Sequence, residues 1–121
     1  MARFYTDLLS GLAVGIDVLS AAEPSAVSDY QGPVFALLSE NIRAIFGEVP
    51  VVPWLQTTTG DARRYEILSD SVFRFSPFEY REKERSGLHG PDESVDEQAL
   101  GTAIAFYRRL MTAASGGTPP A

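Results

Sequence analysis

The stretch SGLHGPDESVDE, residues 86–97, holds the single histidine of the chain, His89, between Gly87 and Gly90 and just ahead of Pro91, Asp92 and Glu93. An imidazole can bind a metal through a ring nitrogen or move a proton, and a carboxylate close by can orient it. The flanking glycines let the backbone bend tightly and so aim the ring. Each of these residues also has an ordinary explanation. A lone histidine in a glycine-rich loop is more often a turn residue than a ligand, and acids ahead of a helix suit its dipole whatever the protein does. A second candidate is TTTGDARRY, 57–65, where Asp61 reads as the cap of a short helix and Arg63 and Arg64 as exposed helix residues.

Several chemistries are excluded. The chain has no cysteine, so thiolate nucleophiles, disulfides and thiolate metal sites are out. It has no glycine-flanked serine elbow, no second histidine to serve as a base, and no phosphate-cradling glycine loop ahead of a basic residue. Sixteen acids against ten bases give a formal charge of -6, and no basic cluster is denser than Arg108-Arg109 or the mixed run Arg81–Arg85. Nucleic acid and anionic membrane are therefore poor partners. Apolar stretches are broken by Gly15, Asp17, Glu40 or Arg43 well before the roughly 20 residues of a membrane span. No leader pattern opens the chain, which makes a soluble cytoplasmic protein the default expectation. At 121 residues with 45% hydrophobic content, one domain with a core is expected.

The elements that must position these residues alternate. Residues 3–10 could be the tail of a helix, and VGIDVLS, 14–20, alternates like a half-buried strand. AAEPSAVSDYQGP reads as a long loop, with a domain boundary between Ala22 and Asp29. From Pro33 to Phe46 the positions Val34, Leu37, Leu38, Ile42 and Ile45 recur at helical spacing, with Pro33 in the first turn and Gly47 past the end. VPVVPWL, 49–55, suits a strand buried on both faces, although Pro50 and Pro53 push it toward a sheet end. A short helix after Asp61 and a strand at 71–77 would complete a βαβ unit. The last helix, expected over 96–113, opens with Ser94 and Glu97 in capping-box spacing and carries Leu100, Ile104, Tyr107, Leu110 and Met111 on one face. SGGTPPA should fray.

Taken in order, FGEVPVVPWLQTTTGDARRYEIL, SVFRFSPF, LHGPDESVDEQAL and AIAFYRRLM resemble the C-terminal portion of the zinc metallopeptidases that include aminoacylase, glutamate carboxypeptidase, carboxypeptidase S and succinyl-diaminopimelate desuccinylase, metallopeptidase family twenty. The resemblance is carried by Asp61-Ala62-Arg63, Phe75-Ser76-Pro77, His89-Gly90-Pro91-Asp92-Glu93 and Phe106-Tyr107, whose order is specific although each motif alone is weak. The Phe-Arg-Phe-Ser-Pro form at 73–77 looks nearest to the carboxypeptidase S and N-acyl-amino-acid hydrolase branch.

The resemblance implies an α/β three-layer sandwich fragment with a short stump of a lid. Residues 1–22 would end the lid or dimerisation domain, 23–113 would be the C-terminal part of the catalytic domain, and 114–121 a disordered tail. It also implies two zinc ions, with cobalt or manganese as substitutes, sharing a bridging aspartate and a water that a glutamate deprotonates for attack on an amide carbonyl. His89 matches the family's terminal histidine ligand, and Asp92 or Glu93 could orient its loop. Gly60 stands where the family usually has threonine, with Thr57, Thr58 and Thr59 shortly before it; its backbone N–H could still meet a substrate carboxylate or oxyanion. The family's upstream His-x-Asp pair, bridging aspartate and adjacent glutamate have no counterpart in these residues. The expectation is therefore a C-terminal fragment of a hydrolase that cleaves the amide bond of a dipeptide or N-acyl amino acid. By itself it should be inactive and bind no zinc tightly. Its partners would be the missing N-terminal part, the substrate and a second copy in a homo-oligomer. The competing expectation is a non-catalytic α/β assembly or binding module with a vestigial His89. A module should carry polar residues on the face the missing half would cover, whereas a fragment leaves that face apolar.

Overall fold

The computed structural model describes residues 2–20, 22–57, 60–79, 87 and 89–120. Helix α1 spans Ala2–Leu8, α2 spans Pro33–Phe46, a 3₁₀ turn spans Asp61–Tyr65, and α3 spans Glu97–Ala114. Local signals account for α2. Pro33 sits in its first turn, where a missing N–H costs nothing, and Gly47 ends it at φ 81, ψ -166, a conformation open in practice to glycine alone. The Gly47 N–H caps the helix by donating to the Arg43 carbonyl at 2.9 Å. At the start of α3 the cap is Asp96, whose carboxylate accepts the Gln98 N–H at 2.8 Å, and not Ser94. Asp96 is the last extended residue before the helix, so its carboxylate, not the Ser94 hydroxyl two residues back, reaches the Gln98 donor in the first turn.

Helices α2 and α3 pack against each other. Ile42 of α2 and Ala103 and Phe106 of α3 are the buried hydrophobic residues among those described. The ring of Phe106 lies 5.0 Å from Phe75 and 6.5 Å from Phe46, centroid to centroid, and Phe73 lies 5.4 Å from Phe35. Residues 73 and 75 thus lay the segment 71–77 over both helices. Two buried polar residues of α2 bond back to the helix: Ser39 Oγ donates to the Phe35 carbonyl and Asn41 Nδ2 to that of Leu37, while the buried Asn41 Oδ1 has no partner.

The described residues contain no strand, so 14–20, 49–55 and 71–77 do not form the expected strands here and the chain by itself does not show a three-layer α/β sandwich. What forms is a helix pair overlaid by irregular segments. The physical reason is that a strand exists only through its neighbour: its N–H and C=O groups need a ladder partner, and a parallel sheet needs several. One substitute is present. The hydroxyl of Ser28 accepts the Val72 N–H at 2.8 Å and donates to the Val72 carbonyl at 3.0 Å, occupying both backbone groups of a single residue. A nearby tie runs from the Arg63 guanidinium to the Glu23 carbonyl at 3.1 Å.

Residues after α3 turn back along it. Gly117 N–H donates to the Thr112 carbonyl at 2.9 Å, and Arg109 Nη1 donates to the Pro120 carbonyl at 2.6 Å. The basic side chain and the helix's unpaired carbonyls supply partners that composition alone does not reveal.

The chain buries little of itself. It exposes 10131 Å², whereas a compact monomer of its mass exposes about 6,400 Å². Trp54 is 80% exposed and Ile67 88%, with Val52, Leu55 and Leu68 similarly uncovered. Among the described residues no helix is long and apolar enough to cross a membrane.

Candidate functional site

The loop before α3 is a sequence of tight turns. Gly90 N–H donates to the Gly87 carbonyl at 2.9 Å, and Glu93 N–H to the Gly90 carbonyl at 3.3 Å. A Cβ on Gly90 would lie 3.1 Å from the Gly87 oxygen, so the approach of the two backbones favours glycine there. Between them His89 has φ 63, the one non-glycine residue with positive φ among those described. A left-handed conformation costs an ordinary residue about 1–2 kcal/mol, and a site that keeps a non-glycine there is a candidate for function. The His89 N–H donates to Glu93 Oε2 at 3.2 Å. His89 itself is exposed, as are Asp92 and Glu93. What the arrangement offers is one imidazole held out to solvent on a bent backbone.

A zinc site needs more donors than that. Tetrahedral catalytic zinc takes three protein ligands, and among the described residues no group of three or more histidine, cysteine, aspartate or glutamate side chains comes together. The donor set fits a single terminal ligand and does not fit a whole site.

The second candidate turn is built differently from its expectation. The residue before the 3₁₀ turn is Gly60, not Asp61, and it makes no side-chain cap. Asp61 instead faces Arg64 Nε at 3.6 Å, with both side chains at least 82% exposed, a pair that contributes little in water. Gly60 is extended, at φ -175 and ψ 170, and a Cβ there would meet nothing within 4 Å. Neither conformation nor space requires glycine at this position. Of the threonines before it, Thr57 is exposed, while Thr58 and Thr59 lie outside the described residues, as do Leu88 and the mixed run Arg81–Arg85.

An apolar groove of about 400 Å³ runs between the end of α2 and the segments 49–52 and 75–79, lined by Ile42, Phe46, Val52, Phe75 and Pro77 among others. None of its lining residues belongs to the His89 loop. Sequence reasoning missed this groove, the Ser28 tie and the Asp96 cap. The last was detectable, since Asp96 immediately precedes the helical run; the first two depend on contacts 20 or more residues apart and leave no local pattern.

Comparison with known proteins supplies what the geometry lacks. No family model matches the chain, and no solved structure does. N-fatty-acyl-amino acid synthase/hydrolase PM20D1 of Mus musculus is 34% identical over 96 residues, covering 77% of this chain and 19% of the relative. The Homo sapiens protein of the same name is 28% identical over 110 residues, 88% of this chain and 22% of the relative. Probable carboxypeptidase S-like 2 of Dictyostelium discoideum is 32% identical over 89 residues, 74% of this chain and 17% of the relative. The chain spans about a fifth of the length of the curated relatives it matches.

Proposed function

The chain is a homologue, over part of their length, of metallopeptidase family twenty proteins, the N-fatty-acyl-amino acid hydrolases and carboxypeptidase S-like proteins, and on that premise we propose that it is the C-terminal part of such a hydrolase. Within the complete enzyme it lends His89 as one ligand to a pair of zinc ions, at a site where the amide bond of a dipeptide or N-acyl amino acid is cleaved. Zinc at such a site supplies Lewis-acid polarisation of the amide carbonyl. The part of this chain is to hold one imidazole in place, and Gly60 can offer its backbone N–H to the substrate's carboxylate.

The observation that carries the reading is the uncovered surface. The excess over a compact monomer is about 3,700 Å² on this chain alone, more than the roughly 1,000–2,500 Å² per partner that an obligate interface buries. It is also apolar where a polar face would be needed for a free-standing module: Val52, Trp54 and Leu55 are all more than two-thirds exposed. In the complete protein 49–55 and 71–77 enter a sheet whose other strands come from the rest of the catalytic domain, giving the three-layer sandwich. Residues 1–22 end the lid, where Val14, Ile16, Val18 and Leu19 are exposed and available to a second copy. Alone, with no three-donor group among its described residues, the chain neither holds zinc tightly nor hydrolyses amides.

The test is His89→Ala in the complete enzyme, assayed against dipeptides and N-acyl amino acids with metal content measured in parallel. Activity should fall to a small residue and one zinc should be lost or weakened. Near-wild-type turnover with two metals retained would discard the assignment.

A further inference from the structure

We propose that Glu93 is the positioning residue for His89, its carboxylate holding the histidine backbone in the left-handed turn from which the imidazole is presented. The inference rests on the metal-ligand reading of His89 and adds to it the group that keeps the ligand in place.

Three observations lead to Glu93. Its Oε2 accepts the His89 N–H at 3.2 Å, and its own N–H donates to the Gly90 carbonyl at 3.3 Å, so one residue fastens the loop by side chain and backbone. The residue it fastens is the one whose φ, 63°, an L side chain adopts only when its surroundings hold it there. The ordinary role for an acid in this stretch is already filled, because Asp96 caps α3 and Glu97 occupies its first turn. Glu93 lies four residues ahead of the helix and its carboxylate is turned to the His89 N–H. Asp92, in the same turn, is not the residue that takes the His89 N–H.

The hydrogen bond runs to the backbone of the ligand and not to its ring, so what Glu93 supplies is direction. Loss of a group that orients a metal ligand costs roughly 10–100-fold in metal affinity. An acceptor without charge should do nearly as well, since an amide oxygen takes the same N–H.

The experiment measures zinc affinity of the complete enzyme by chelator competition, alongside kcat and KM, for Glu93→Ala, Glu93→Gln, His89→Ala and the double variant H89A/E93A. Glu93 is exposed, so truncating it removes no buried packing. The expected result is a weaker second zinc in Glu93→Ala by roughly 10–100-fold, recovery to within a few-fold in Glu93→Gln, and no further loss when Glu93→Ala is added to His89→Ala, because a residue acting only through His89 has nothing left to orient. Wild-type zinc affinity in Glu93→Ala, with His89→Ala impaired, would overturn the inference while leaving His89 a ligand. Equal losses from Glu93→Ala with and without His89 would overturn it too, by showing that it acts elsewhere. Unchanged zinc affinity in His89→Ala would remove the ligand reading and this inference with it.

Discussion

Urea unfolding of the isolated chain tests the uncovered surface directly. An extended chain of this mass exposes about 19,100 Å² and a compact fold about 6,400 Å², against the 10131 Å² that this fold exposes. Unfolding therefore uncovers about 9,000 Å², compared with about 12,700 Å² for a compact domain of the same size. The dependence of unfolding free energy on urea scales with that area, so the slope should be about 0.7 of the compact-domain value, and the heat-capacity change should fall in parallel. Both areas share one unfolded reference, so its uncertainty largely cancels in the ratio. The transition is followed by helical circular dichroism, which reports α2 and α3, because Trp54 is already mostly in water and its fluorescence should change little. Sedimentation must show a monomer, since self-association would hide the same surface. A monomer with the full compact-domain slope would refute the argument: the apolar face would then be covered in solution by the chain itself, and nothing would call for a missing partner.

Two further substitutions probe what order the chain does have. Phe106→Ala removes the ring shared by Phe46 and Phe75 and should destabilise by about 3–5 kcal/mol, enough to leave the isolated chain largely unfolded; a loss under about 1 kcal/mol by urea midpoint would mean that the three rings are not the core. Ser28→Ala strips both partners from the Val72 backbone and should cost about 1–2 kcal/mol, whereas Ser28→Thr, which keeps the hydroxyl, should recover part of it; an unchanged midpoint in Ser28→Ala would show the tie to be idle.

Some of this was legible in the residues. The bounds of α2 are set within the helix and one residue beyond, by Pro33, Gly47 and the three-to-four spacing of Leu38, Ile42 and Ile45, and all of that is local. The long C-terminal helix was legible for the same reason, though its cap fell on Asp96 because a capping-box pattern does not say which of two competent residues is the extended one. Segments 49–55 and 71–77 have the composition of strands, yet composition records only which neighbours a segment would accept. The neighbours themselves are a property of other residues. His89 is the same kind of case at the level of chemistry: its loop geometry is written in Gly87, Gly90 and Glu93, while ligation depends on donors that no spacing around it encodes.

The serine hydroxyl on Val72 has one more consequence. Apolar stretches outside a sheet are where foreign chains dock and fibrils start, and 71–77 carries two phenylalanines and a valine. By occupying the amide and the carbonyl of its second residue, the Ser28 side chain denies an intruder that rung. Solutions of Ser28→Ala should therefore turn cloudy sooner on storage than those of Ser28→Thr, through a fault in protection and not only in folding.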